Sequence, residues 1–411
     1  MRILMLSPAY PFPPDNGAKR RIKAILEGLA AQHEVTFVSI IAENPARESA
    51  HATPWQEATF RQRETAISAW LKTLLSKRFY REVKFWNPEM ETFVRERLVS
   101  GEYDAVLVSF LATSRYLEHW YDLPAKNRPL LILDQHNLDE VVWQRHRRDN
   151  PNFLKRQYAS LQHARVLRLQ QCWFPRFDVI LSVSAEDLQA TRKYVRQPAT
   201  RLALAPNGAD TTHFSMAGPA DSAKDAAVIV FGGSMDVTMN QDAVHWFLGE
   251  IFPSIEGKVP GVQFWVVGRN PPPAIQRYSQ PGRVVVTGTV EDVVPYYQQA
   301  DVFVVPSRMG GGTKLKTLEA LALGLPVVST GIGVQGLEVV SGKHVYIADE
   351  ARDFAESVVR LLVNREQARA MGLAGRALVS EKYTWDSILK TINAVIADAG
   401  NDVRSATPGR K

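Results

Sequence analysis

The sequence predicts an α/β fold of two Rossmann-like, doubly wound parallel-sheet domains facing across a cleft. Three observations predict it. Apolar strand-like runs alternate with helical patterns along all 411 residues, the pattern of parallel sheets covered by helices. Those runs are near-continuous Val, Ile and Leu, as expected for strands buried on both faces. A polar stretch from Asp210 to Ala226, rich in Ala, Asp, Gly and Ser, then divides the chain into two halves.

In the first half, strands are expected at Arg2–Leu6, Glu34–Ile40, Ala105–Ser109, Leu130–Leu133, Val179–Val183 and Leu202–Ala205. In the second they are expected at Val228–Phe231, Phe264–Val267, Val284–Thr287, Val302–Val305, Val327–Ser329 and Val345–Ile347. Helical spacing appears at Ala18–Ala31, Val141–Arg148, Asp242–Phe247 and Phe354–Val363. The expected domains are 1–207 and 227–383, joined by a linker at 208–226. A last helix follows at 384–398, and 399–411 read as a frayed tail.

Composition narrows the class. Hydrophobic content of 45% and charged content of 22% are those of a globular protein. The single cysteine, Cys172, excludes an internal disulfide framework and fits a reducing, cytoplasmic setting. No run reaches the roughly 20 apolar residues of a membrane span, and Met1–Ser7 is too briefly apolar for a signal peptide. Net charge is +6, and residues 1–200 carry all of the excess, with 29 basic and 22 acidic side chains. Such a field draws anionic partners. No zinc-finger spacing or RNA-binding signature accompanies it, so nucleic acid is not expected.

Several stretches can carry chemistry. Val302–Val305 leads through Pro306 and Ser307 into Gly310-Gly311-Gly312-Thr313 and a helix bearing Lys316 and Glu319. A glycine loop opening a helix offers backbone N–H groups to a phosphate, Lys316 adds charge, and Glu319 can accept bonds from ligand hydroxyls. A nucleotide or nucleotide-sugar would match; so would an ordinary strand–loop–helix unit with a solvent-facing Lys and Glu. Gly17 lies in a Pro-rich loop after the first strand, ahead of the basic run Lys19-Arg20-Arg21; the loop could approach a ligand closely, or be only a connector with solvated basic residues. Asp134-Gln135-His136-Asn137 stands at a strand's C-terminal end, where polar side chains are expected to point into the cleft. Gly232-Gly233-Ser234 ends the first strand of the second half; Gly232 and Ser234 could approach phosphate, or form only a tight turn. Asn240 and Asp242 read as caps of the next helix. Arg61–Lys84 combines Ile67, Trp70, Leu71, Leu74 and Leu75 with seven basic residues. That pattern fits a basic amphipathic helix on an anionic bilayer, or a stripe packed on its own domain. No Asp-x-Asp, His-Glu-x-x-His, Walker A or Gly-x-Ser-x-Gly pattern occurs, which argues against a metal–diphosphate cage, zinc or serine hydrolysis and P-loop chemistry.

Taken together and in order, these motifs resemble the family-4 glycosyltransferases of the GT-B fold, and within them the exopolysaccharide-type sugar transferase branch. The resemblance covers nearly the whole chain. Beyond the stretches above it includes Pro206-Asn207-Gly208-Ala209-Asp210, Val267-Gly268, Gly288, Asp292, Gly324-Leu325-Pro326-Val327-Val328 and Tyr383-Thr384-Trp385. It implies a retaining, metal-independent transferase with no cofactor, moving a sugar from a nucleotide-sugar donor to a glycan or lipid-linked acceptor. Donor contacts would come from Gly17, Gly232, Ser234, Gly310, Gly311, Gly312, Thr313, Lys316 and Glu319. Of these, Glu319 would bond the ribose, and Lys316 with the Gly310–Gly312 amides would neutralise the diphosphate. His136 would touch the transferred sugar as a third catalytic residue beside Lys316 and Glu319. Lys19, Arg20 and Asn137 would face the acceptor. In that family the last helix crosses back onto the N-terminal domain.

The chain departs from the family at two places. The first of its two spaced glutamates falls at Gly311, and the Arg and Lys usual after the first C-terminal-domain strand are missing, with Met235 and Asn240 in that region. Lys316 is the expected replacement for their charge. Nucleotide-sugar epimerases share the GT-B fold, and a non-catalytic nucleotide-sugar-binding partner would also tolerate the missing glutamate.

Overall fold

The computed structural model describes residues 1–41, 53–124, 127–195, 200–216, 226–310 and 312–406. The chain forms two compact units, Met1–Ala205 together with Leu389–Lys411, and Pro206–Ile388. Each is a parallel sheet with helices, and the fold class is GT-B.

The first unit's strands are β1 (Arg2–Ser7), β2 (Glu34–Ile41), β3 (Gln56–Arg61), β4 (Ala105–Ser109), β5 (Leu130–Gln135), β6 (Val179–Ser182) and β7 (Arg201–Leu204). They pair in parallel in the order β3-β2-β1-β4-β5-β6-β7. In the second unit, β8 (Val228–Gly232), β9 (Gln263–Val267), β10 (Val284–Gly288), β11 (Val302–Val305), β12 (Val327–Ser329) and β13 (Tyr346–Ile347) pair in parallel as β10-β9-β8-β11-β12-β13. The direction of winding reverses between β1 and β4 in one sheet and between β8 and β11 in the other. Ligands in doubly wound folds bind beyond the strand C-termini at such switch points. The loops after β8 and β11 therefore become neighbours.

All twelve expected strands are present, and β3 is an addition. Its sequence Gln-Glu-Ala-Thr-Phe-Arg has an exposed, polar edge-strand pattern that apolar runs do not flag. Helices begin earlier than expected: Gly17–Ala30, Asp139–Asp149, Thr238–Trp246 and Ala351–Val363. Their first turns are polar or small, so apolar periodicity detects each helix late.

Three expectations need correction. Arg61–Lys84 is not one helix: Arg61 ends β3, and helices span Ala66–Leu75 and Tyr80–Lys84. The linker expected from residue 208 begins as ordered structure, for Ala209 pairs with Thr384 and Phe214 is buried in the second unit's core. The last helix spans Trp385–Ala406, running through residues expected as tail, and Ile392, Ile396 and Ala399 are buried. From Leu389 onward it belongs to the first unit. Gly311, residues 217–225 of the expected linker and 407–411 of the expected tail lie outside the described residues.

Candidate functional site

In the second unit, the loop after β11 reaches the helix Leu315–Ala322 through Gly310 and Gly312, both at positive φ (114° and 68°). No side-chain cap closes the helix start at Lys314. Lys316 is the second helical residue, and the helix directs it back toward the loop after β8. There its Nζ donates a 2.7 Å hydrogen bond to Asn240 Oδ1 and lies 4.2 Å from the centre of the Phe231 ring. Gly233 makes room for it: at φ 149°, a Cβ on residue 233 would stand 2.8 Å from Lys316 Nζ.

The polar chain continues from there. Asn240 Nδ2 donates to the Ser234 carbonyl at 2.7 Å, and Arg269 Nε donates to Ser234 Oγ at 2.9 Å. Two cations thus flank the Gly233-Ser234 turn, Lys316 on one side and Arg269 on the other. Asn240 and Asp242 are not caps: both lie inside the helix, and Asp242 accepts from Arg308 at 2.6 Å. Gly232 has a packing role, since a Cβ there would fall 1.7 Å from Tyr297 Oη. Thr313 and Glu319 are buried. Lys314, which the sequence did not single out, donates to the Gly312 carbonyl at 3.2 Å.

Electrostatics make Lys316 the distinctive group. The side chain is half-buried, but its ammonium end is enclosed by Phe231, Asn240 and Gly233. Burial, with the neighbouring Lys314 charge, lowers its pKa to about 7, against a smaller opposing pull from Glu319. An ammonium held by a neutral amide in this way gains strongly from an anion.

The first unit holds a different constellation. Arg21 places Nε 2.9 Å and an Nη 2.6 Å from Asp134 Oδ1, with both side chains inaccessible. The other carboxylate oxygen approaches His136 Nε2 at 2.8 Å, off the alignment of a hydrogen bond. His136 stacks on Phe110 (ring centres 3.9 Å apart), and Phe110 is held at φ 65°. Such a conformation costs a non-glycine residue about 1–3 kcal/mol. Arg81 lies over the same ring and binds Asp139 at 2.7 Å. Burial raises the Asp134 pKa, but the Arg21 guanidinium overcomes it and holds the carboxyl well below the usual range. Burial lowers the His136 pKa against the opposing pull of Asp134, favouring neutral imidazole. Burial also raises Asp139, partly offset by Arg81.

The segment Asp134-Gln135-His136-Asn137 closes β5 and runs on into the next helix. Asp134, Gln135 and His136 are buried, and only Asn137 is partly exposed. Gly17 is exposed as the first residue of its helix, behind an Asn16 cap that accepts from the Lys19 N–H. Lys19 pairs with Asp15 at 3.6 Å, and Arg20 donates to the Pro14 carbonyl at 3.1 Å. The residue of this basic run that the sequence undervalued is Arg21.

Residues 226–364 match the family described as Glycosyl transferases group 1. The match lies within the second unit. Over 223 residues the chain is 30% identical to the GDP-mannose-dependent alpha-(1-6)-phosphatidylinositol monomannoside mannosyltransferase of Mycobacterium tuberculosis. That alignment covers 49% of this chain and 56% of the relative, so the chain matches about half the length of this mannosyltransferase. A 44.6 kDa protein of the cps region of Klebsiella pneumoniae is 21% identical over 402 residues, covering 95% of this chain and 98% of its own. Among solved structures, sucrose-phosphate synthase from Thermosynechococcus elongatus superposes with a TM-score of 0.74 at 17% identity, covering 99% of this chain and all of its own. Anabaena HepE in complex with UDP and glucose gives 0.68 at 14% identity, covering 97% of this chain and all of its own. At such identities these two establish the fold alone.

Proposed function

We propose that the chain is a retaining glycosyltransferase that moves a sugar from a nucleotide-diphosphate sugar to a lipid-linked or polysaccharide acceptor, in exopolysaccharide or cell-surface glycan synthesis. The observation that carries this reading is the pair of cations about Gly233-Ser234. Lys316 is lodged against Asn240, and Arg269 supplies a second charge through Ser234. With Lys314 beside the glycine loop, these groups provide positive charge for a diphosphate leaving group, and the reading assigns no metal to the reaction. Glu319 would hold the ribose, and His136, as a neutral imidazole, would contact the transferred sugar.

The proteins that resemble this chain support a nucleotide-sugar donor without fixing the base. GDP-mannose is named for the mycobacterial relative, and UDP-glucose for another HepE complex. A thermal-shift panel of UDP-, GDP- and dTDP-sugars tests the donor, because ligand binding raises apparent stability in proportion to affinity. One nucleotide class is expected to raise the melting temperature of the full chain, with the shift abolished in Lys316→Ala. No shift with any donor overturns the reading. Conversion of the donor in the absence of acceptor would replace transfer with epimerisation.

A further inference from the structure

Apart from its candidate site, the first unit presents an unusual surface. On the helix Ala66–Leu75 the residues that turn inward are Ala69 and Thr73, while Ile67, Leu71, Leu74 and Leu75 face solvent. Leu75 is 96% and Ile67 73% exposed. The apolar stripe is therefore on the outside, opposite to a helix packing on its own domain.

The neighbouring helix, Phe153–Trp173, extends the same surface. Its Tyr158 shares a 2.9 Å hydrogen bond with Thr73 Oγ1 and packs against Trp70, with ring centres 5.8 Å apart. Arg165 donates to the carbonyls of Thr73 and Ser76. Tyr158 and Arg165 thus define the stripe of this helix that meets the first one. Leu154 and Leu161 occupy the same stripe by helical spacing, at 75% and 40% exposure. Among the described residues, these two helices hold eight of the eighteen exposed large hydrophobic side chains. A soluble surface rarely concentrates them so.

Charge selects the occupant. Residues 61–84 contain seven basic and two acidic side chains, and residues 139–173 seven basic and three acidic. The excess over these two segments is larger than the net +6 of the whole chain. Arg78 and Arg81 are bound to Glu118 and Asp139, but Lys77, Lys155 and Arg156, on or next to the two helices, are exposed. Trp70 and Tyr158, half-apolar rings, are placed together where the two helices meet. A second copy of the chain meeting this face through a two-fold axis would bring like charges together. An anionic bilayer offers both the apolar phase and the opposite charge.

We infer that the exposed face of helices 66–75 and 153–173 is a docking surface for an anionic lipid bilayer. It is peripheral, since among the described residues no helix is long and apolar enough to cross a membrane. The inference stands on this surface alone and requires no step of sugar transfer.

Co-sedimentation of the full chain with phosphatidylcholine vesicles, with and without phosphatidylglycerol, tests it. Binding is expected only to the anionic vesicles and should weaken as salt rises. Leu75→Glu combined with Leu154→Glu should lower partitioning at least about tenfold, since each change removes a membrane-buried apolar side chain and adds like charge to the lipid. Both positions are largely exposed, so the variant should keep the wild-type melting temperature and any nucleotide-induced thermal shift. Equal binding to neutral vesicles, no vesicle binding, or unchanged partitioning of the double variant would overturn the proposal. A dimer in sedimentation velocity that the double variant abolishes, without vesicle binding, would assign the face to self-association instead.

Discussion

Two cationic side chains, Arg21 in the first unit and Lys316 in the second, show how the partner decides what a buried charge does. Arg21 meets a full carboxylate, Asp134, and the pair is closed from solvent. Lys316 donates to a neutral amide oxygen on Asn240, and its pKa falls accordingly. A compensated charge fixes a structure, whereas one held by a dipole leaves electrostatic free energy available to an incoming anion.

The largest expected effect tests the compensated side. Asp134→Asn leaves Arg21 buried opposite a neutral group and should destabilise the first unit by about 3–5 kcal/mol in denaturant titration. A loss near zero would mean that the pair is not an isolated structural unit. The pH dependence has a definite sign. The folded pKa of Asp134 lies below its unfolded value, so its stabilisation is present above that unfolded value, near pH 4, and is lost on acidification.

Next comes the uncompensated side. Lys316→Ala should reduce single-turnover transfer by roughly 10²–10³-fold, on the scale of removing one donor to a developing oxyanion, with no loss of folding stability. Full activity in that variant would remove Lys316 from the diphosphate.

A smaller effect follows from protonation. The Lys316 pKa falls from 10.5 in the unfolded chain to about 7 in the folded one, so the unfolded state binds more protons between those values and stability rises with pH there. Below pH 7 the cost of burying the charge is fully present. Lys316→Met escapes it and should be more stable than wild type at pH 6 by on the order of 1–3 kcal/mol, discounted for the side chain's residual solvent contact. The advantage should fade toward pH 10. Melting curves at the two pH values read it directly, and a variant less stable at pH 6 would contradict the lowered pKa.

The smallest effect belongs to Arg269. Arg269→Met should weaken nucleotide binding by about fivefold, the scale of one hydrogen bond that also positions Ser234. Calorimetric affinities indistinguishable from wild type would leave Arg269 with a purely local role.

The same contrast explains what could be read from the sequence. Gly310, Lys316 and Glu319 belong to one local segment, so their spacing can be read as a phosphate-type loop from the sequence alone. The partner of Lys316 lies 76 residues away, and that of Arg21 lies 113 away. Only the sheet order brings them together. Asn240 therefore reads as a helix cap and Asp134 gives no sign of its Arg21 partner, because polar side chains after a strand look alike until the neighbouring strands are known. Strands buried on both faces were legible from Val and Ile runs, whereas β3, polar and at an edge, carried no such mark. Ile67 and Leu75 were visible as a stripe, but spacing cannot say which side of a helix meets the core.

The assignment of Leu389 onward to the first unit bears on how the protein is made. Ribosomes deliver the chain from its N-terminus, and domains usually fold in that order. Here the first unit lacks its final helix until the whole second unit has emerged. At about 5–20 residues per second the delay is roughly 10–40 s. Throughout it, the surface destined for Ile392, Ile396 and Ala399 remains uncovered in the nascent chain. The half synthesised first is the half completed last, and a nonsense codon late in the message would damage the part of the protein translated earliest.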